Sequence, residues 1–347
     1  MTHMSAQKSR QTQLQQWLSE LPASLQLNLS TRQPASSDAS FRHYERIQAD
    51  QRTLIIMDAP PAQEDCRAFV DITKRLSDVG LHVPEILAQN IEQGFLLLSD
   101  LGHQTYYDAI QQGLDETTLQ KLYLPVLDAL VTLQTANSDG LPIYDESRLV
   151  QELQLFTEWY VNIHHNTSLT PTETQALATI FSELAASVAS QPRVLVHRDF
   201  HSPNLMIPTD AQTIIPGIID YQDAVHGAIS YDLASLVFDA RTTWEEPQQL
   251  DWAIRYWEKA RAKGLPVPDD FAVFHAHYEW TGLQRNLRIL GVFARLHHRD
   301  QKSHYLNHIP RVVAYVRQVA RRYRPFGPLL KLLDRLEGTE TTTLLTF

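Results

Sequence analysis

A single cysteine, Cys66, stands in a chain of 347 residues. One thiol excludes an internal disulfide and a cysteine-built zinc site, and it fits a reducing compartment. Long apolar runs are missing as well. The strongest, Phe95–Leu98, falls far short of the roughly 20 residues a bilayer-spanning helix needs, and the polar N-terminal stretch has no secretory apolar core. A cytoplasmic chain with no membrane partner is expected. Excess positive charge is also missing: 30 basic residues against 40 acidic ones leave −10 at pH 7, which argues against a nucleic-acid partner. The basic run Arg317–Pro325 has the spacing of a solvated helix face rather than of a phosphate- or membrane-binding patch. No repeat of fixed period and no low-complexity tract occurs.

What is present is an ordinary soluble composition, 43% hydrophobic and 20% charged, on a chain long enough for two domains or one domain with two lobes. "SFRHYERIQ" and "RTLIIMDAP", flanking the polar turn Ala49–Gln51, and "FLLLSD" at 95–100 read as strands. Between the last two, residues 64–80 carry Phe69, Ile72 and Leu76 on one helical face, with Gly80 as a stop. After Gly102 the pattern turns helical: 118–136, 171–190, 251–264, 269–296 and Ile309–Tyr323 are amphipathic. Only "RVLVH" and "TIIPGIIDY" interrupt it with strands. The expected class is α+β: a small sheet-containing N-lobe, 1–101, and a larger, mainly helical C-lobe, 102–347.

"VLVHRDFHSPNLMIP", 194–208, places His197, Arg198, Asp199 and His201 at the mouth of an apolar strand, where a charge is costly unless it is paired or used. Asp199 and Asn204 share one loop, and Pro203 keeps that loop from continuing as a helix. An aspartate in this position can take a proton from an attacking hydroxyl, while the asparagine amide oxygen holds magnesium. "GIIDYQD" brings Asp220 out of a second apolar run, and a hard cation needs such a carboxylate beside a polyphosphate. Base, metal amide ligand and metal carboxylate suffice for phosphoryl transfer, which asks mainly for positioning and charge neutralisation.

"HRDFHSPNLM" followed by "IIDYQDAVHGAISYDLASL" resembles the aminoglycoside phosphotransferase and choline kinase group of protein-kinase-like small-molecule kinases. The pattern there is H-x-D-x-x-x-x-N, then I-D, then D-L-A; the helical C-terminal half and the missing D-F-G glycine favour this branch over protein kinases. "SDASFRHYERI", "MDAPP", "FLLLSDLG" and "LRILGVFARL" further resemble bacterial sugar 1-kinases that act on N-acetylmuramate and N-acetylglucosamine in cell-wall recycling. These pieces spread over residues 36–296. The resemblance implies a bilobal protein-kinase-like fold, ATP and Mg2+ as cofactors, and an amino-sugar acceptor. In it Asp199 is the base, His197 braces the loop, Asn204 and Asp220 hold magnesium, and Asp232 supports the loop from a following helix. Asp223 is a second metal ligand, a sugar hydrogen-bond acceptor or a turn residue; His201 touches substrate or fills the loop.

The nucleotide side departs from the common kinase pattern. No G-x-G-x-x-G is present, and "SSDASFR" takes its place, with small side chains and backbone amides that can approach phosphates. Met57 stands where the strand lysine is expected, so Arg42 or His43 is the candidate phosphate contact, against the alternative of an exposed strand arginine. Ser99, Asp100 and Leu101 form the link whose backbone would pair with adenine. For the acceptor, Trp280, Gln284 and Arg288 share one helical face with Arg285 adjacent; an aromatic ring, an amide and arginines suit a sugar bearing a carboxylate, although core packing explains the same spacing.

Three rivals remain on the sequence. His197 and His201 are four apart, but H-E-x-x-H is absent and Pro203 follows, which disfavours zinc. A catalytically dead nucleotide-binding relative is suggested by the missing lysine and opposed by the retention of Asp199, Asn204 and Asp220 together. An amino alcohol or aminoglycoside acceptor calls for an acidic pocket, and the arginines near residue 285 point the other way.

Overall fold

Alternating apolar residues in the first hundred positions build a five-stranded antiparallel sheet, whose strands lie side by side in the order Leu27–Ser36, His43–Ala49, Arg52–Asp58, Phe95–Ser99, Ile86–Asn90. The computed structural model describes residues 2–36, 42–207 and 215–338. Most of the small-residue turn expected to approach phosphates, 37–41, lies outside them. The chain divides into two compact units, Met1–Gln104 with Met206–Asp223, and Thr105–Leu205 with Ala224–Phe347. The sequence boundary at 101/102 did not foresee that 206–223 groups with the first unit.

In the first unit, α1 (Thr2–Glu20) precedes β1 (Leu27–Ser36), β2 (His43–Ala49), β3 (Arg52–Asp58), α2 (Cys66–Asp78), β4 (Ile86–Asn90) and β5 (Phe95–Ser99). Strand alternation sends Leu54 and Ile56 of β3, with Phe95 and Leu97 of β5, to one face, where Leu14, Trp17 and Leu18 of α1 cover them. Arg10 pins that helix: it donates to the buried Asp58 at 2.9 and 2.6 Å and lies over the Phe95 ring. On α2, Phe69 stacks on Tyr221 at 5.2 Å and Thr73 hydrogen-bonds the Tyr221 hydroxyl at 2.8 Å. These contacts fasten the segment after Gly217 to the helix. Of the strand expected across 213–221, residues 213 and 214 lie outside the described residues, and within 215–221 the strand is Gly217–Ile218; α1, β1 and β4 are elements the sequence reading did not assign.

The second unit is mainly helical: α3 (Tyr106–Gln111), α4 (Glu116–Leu133), α5 (Glu146–Leu155), a π-helical stretch Phe156–His164 and α6 (Pro171–Ala189). Strand β6 (Arg193–Val196) then pairs antiparallel with β7 (Val225–Ala228), Val194 opposite Gly227. There follow α7 (Tyr231–Val237), α8 (Glu246–Ala262), the 28-residue α9 (Phe271–His298), α10 (Ile309–Ala320) and α11 (Gly327–Glu337). Close approach to α9 needs two glycines. A Cβ at Gly282 would lie 2.4 Å from the Phe238 ring, and one at Gly291 would lie 2.3 Å from the Leu155 carbonyl, at the junction of α5 and the π-helix. The basic run after Ile309 is paired in part: Arg317 bonds Asp334 at 2.6 Å and Glu337 at 2.8 Å. No helix among the described residues is long and apolar enough to cross a membrane.

Candidate active site

The loop after β6 is held by carboxylates that arrive from later in the chain. Asp232, buried on α7, accepts the His197 and Arg198 amides at 2.7 and 2.9 Å, and Ser235 donates to the Arg198 carbonyl at 3.0 Å. These bonds fix Arg198 at φ +76, a left-handed conformation that costs a non-glycine residue roughly 1–2 kcal/mol. Burial pushes the Asp232 carboxyl up to about 6, against the opposing pull of His197 and the two amides. Seven residues on, just past the end of α7, Asp239 accepts from the Ser202 amide at 3.2 Å and the Ser202 hydroxyl at 2.5 Å.

The strained turn buries His197, Arg198 and Phe200 but leaves the Asp199 side chain 40% exposed. Asn204 Nδ2 donates to the Asp199 carbonyl at 2.9 Å. That bond orients the amide, so that Oδ1 is the end suited to a hard cation. Around Asp199 stand three guanidiniums. Arg285 Nη2 is 3.3 Å from Asp199 Oδ1; Arg198 and Arg288 meet Glu152 at 2.8 and 3.0 Å; and the Tyr144 hydroxyl donates to the same Glu152. Burial alone would raise the Asp199 carboxyl, yet the charges of Arg288 and Arg285, then His201 and Arg198, hold it well below the usual carboxylate range. It is an anion at neutral pH.

Of the predicted residues, the second unit brings together His197, Asp199, Asn204, Arg285 and Arg288. His201 is buried, accepts from Arg241 at 3.1 Å and lies 3.8 Å from Asp239, so of the two roles expected for it, filling the loop is the one its contacts match. Trp280 packs edge-on against Tyr323 and Phe326, with ring centres 5.7 and 4.9 Å apart, and is partly exposed. Gln284 is enclosed, at 0% exposure, and its amide has no hydrogen-bond partner among the described residues.

The remaining predicted residues belong to the first unit. Asp220, at φ +65, is exposed and accepts from Gln222 at 2.7 Å; Asp223 is exposed as well. Arg42 is ion-paired with Glu64 at 2.7 Å, which corrects the picture of an exposed strand arginine, and His43 is exposed at the start of β2. The Ser99 amide donates to the Glu85 carbonyl. The Asp100 carboxylate is saturated by Arg46 at 2.6 and 3.0 Å, Thr53 at 2.6 Å and the Gly102 amide at 3.1 Å, so that side chain is a structural anchor. Leu101 is buried and closes over Gly217.

Comparison with known proteins decides the family. The profile of the APH phosphotransferase enzyme family matches residues 31–272. The chain is a member of that family. This phosphotransferase is 44% identical over 309 residues to an N-acetylmuramate/N-acetylglucosamine kinase of Pseudomonas aeruginosa, covering 88% of this chain and 89% of the relative. It is 41% identical over 333 residues to the enzyme of the same name from Neisseria meningitidis, covering 95% and 97%. Its fold is shared with the ADP-bound aminoglycoside phosphotransferase APH(2'')-Ib, at TM-score 0.58, 12% identity and coverage of 90% and 98%. The choline kinase LicA of Streptococcus pneumoniae shares it too, at TM-score 0.55, 14% identity and coverage of 88% and 99%.

For this phosphotransferase, sequence reasoning missed Glu152, Tyr144, Ser202, Asp239 and Arg241. Glu152 looks like any acid on an amphipathic helix, and its partners are 46 and 136 positions away. Asp239 had a weak signal, an acid in an apolar run, where an unpaired charge is expensive.

Proposed function

We propose that this chain is an ATP-dependent kinase that places the γ-phosphoryl group on the anomeric hydroxyl of an N-acetylated amino sugar, N-acetylmuramate or N-acetylglucosamine, as a cytoplasmic step of peptidoglycan recycling. One observation carries the reading: a partly exposed carboxylate, Asp199, kept ionised by surrounding arginines on a loop whose Asn204 amide is oriented by that loop's own backbone. The names of the relatives and the fold neighbours support the same reaction class.

In this reading Asp199 aligns the sugar hydroxyl and takes its proton as the new O–P bond forms and the bond to ADP breaks. His197 and Asp232 set the loop. Asn204, in the second unit, and Asp220, in the first, each offer an oxygen of the kind Mg2+ takes, and the ion when bound would neutralise phosphate charge. The first unit carries the nucleotide and the second carries the acceptor. A cationic acceptor is disfavoured because the groups around Asp199 are guanidiniums.

A coupled ADP-release assay with N-acetylmuramate, N-acetylglucosamine and glucose, with mass analysis of the product, tests the proposal. Turnover of both N-acetylated sugars and little of glucose is expected. Asp199→Asn should lower kcat roughly 10²–10⁴-fold while nucleotide affinity stays close to that of the unaltered protein; full residual activity in that variant sinks the reading.

A further inference from the structure

The arginines that the sequence offered as carboxylate clamps are already engaged: Arg285 with Asp199, and Arg288 with Glu152. A different set of cations beside the catalytic loop is not. Arg241 follows α7, its backbone amide donates to Asp239 at 2.9 Å, and its guanidinium donates to His201 Nδ1 at 3.1 Å. Among the described residues no carboxylate lies within ion-pair distance of that guanidinium. Arg311, on α10, donates to the carbonyl of Ala240, the residue before, at 3.1 Å, and it too has no acidic partner among the described residues. His308, just before α10, sits near both: burial first, then the charges of Arg241 and Arg311, hold its imidazole below the usual range. Among the described residues the acid at this cluster is Asp239, which is buried, accepts from Ser202 and draws on both His201 and Arg241, so that a single carboxylate faces two arginines. All three bases are partly exposed.

We propose that Arg241 and Arg311, with His308 beside them, form a carboxylate-binding subsite that reads the acidic substituent of an acceptor sugar held at Asp199. The inference rests on the amino-sugar kinase reading and extends it to the feature that separates N-acetylmuramate from N-acetylglucosamine, a lactyl carboxylate. Three physical points support it. In a protein of net charge −10, two neighbouring guanidiniums beside a single buried carboxylate are a local surplus of positive charge, which an anionic ligand relieves. The surplus is close to the chemistry, because the His201 that receives the Arg241 hydrogen bond is two residues from Asp199; burial lowers the His201 pKa, so it remains a neutral acceptor at pH 7. The segment is also held before any ligand arrives. The Tyr315 hydroxyl donates to the Thr242 carbonyl at 3.0 Å and accepts the Trp244 amide at 3.3 Å, which reduces the ordering that binding must impose.

The test compares kcat/KM for N-acetylmuramate and N-acetylglucosamine in the full chain and in Arg241→Gln, Arg311→Gln and the double variant. The ratio of muramate to glucosamine should fall about tenfold or more in each single variant, further in the double, and recover in part in Arg241→Lys. An unchanged ratio, whether both rates fall together or the KM for ATP alone rises, overturns the subsite, since the arginines then brace the loop or meet the nucleotide. Thermal shifts with each sugar give a second readout that needs no turnover. The unaltered chain should be stabilised more by the muramate, and the double variant should lose that difference while retaining its unliganded melting temperature within a few degrees. Equal stabilisation by both sugars also overturns the subsite. Failure of the unaltered chain to phosphorylate either sugar would instead reject the kinase assignment.

Discussion

Asp199 and Glu152 divide the charge of four arginines between them: Arg285 pairs with Asp199, and Arg198, Arg288 and, at 3.9 Å, Arg148 pair with Glu152. Asp199 is partly exposed, as its proposed role as the base requires; Glu152 is largely buried and holds Arg198 and Arg288 away from it. Replacing Glu152 by Gln leaves four guanidiniums against one carboxylate. Removing one partner of a largely buried charge cluster costs about 3–5 kcal/mol, and the freed Arg288 is then drawn to Asp199. The expected outcome for Glu152→Gln is a lower urea midpoint together with at least a tenfold fall in kcat; unchanged kinetics in a folded variant would show that the Asp199 environment does not depend on this residue. Local spacing made Asp199, His197 and Asn204 legible because a catalytic loop is built from neighbours in the chain. Glu152 was illegible because its role exists only once α5, the loop and α9 meet.

At the level of elements, α9 is the axis of the second unit, and its packing depends on the absence of side chains at two positions. A methyl group at Gly291 would enter the backbone at Leu155–Phe156, where nothing flexible can yield. Gly291→Ala is therefore expected to destabilise the protein by at least about 1–3 kcal/mol, measured by urea denaturation, whereas Gly113→Ala, at a helix end with open space around it, loses stability only through its positive φ. The expected helical spans 171–190 and 64–80 correspond to α6 and α2, whose first turns are fixed by a reciprocal capping box of Thr170 and Glu173 and by the Asp65 cap. The π-helical turn at Phe156–His164 was not readable, because its hydrogen-bond shift leaves an ordinary apolar periodicity in the sequence.

Across the whole molecule, burial depresses the pKa of His164, His165, His201, His275, His277, His298 and His308 from 6.5. The unfolded chain then binds more protons than the folded one below that value, so stability rises with pH through this range. Stability is expected to be fully present above pH 6.5 and to be lost as the pH falls below it, as these groups protonate. Urea titrations at pH 7.5, 6.5 and 5.5 check this; a midpoint that stays level down to pH 5.5 would contradict it.

By itself the sequence determined the α+β class, the early strands and later helices, the HRD loop that carries Asp199 and Asn204, and, through its single cysteine, the lack of an internal disulfide, because each is written in composition or in residues a few positions apart. Only the tertiary structure decided which arginines are neutralised and which are left in surplus, that Trp280 packs and Asp100 anchors, and that 206–223 joins the first unit. Those outcomes depend on charges and surfaces dozens to more than a hundred positions apart meeting in space, and the pairing of a buried charge is set by what lies beside it once the chain has folded.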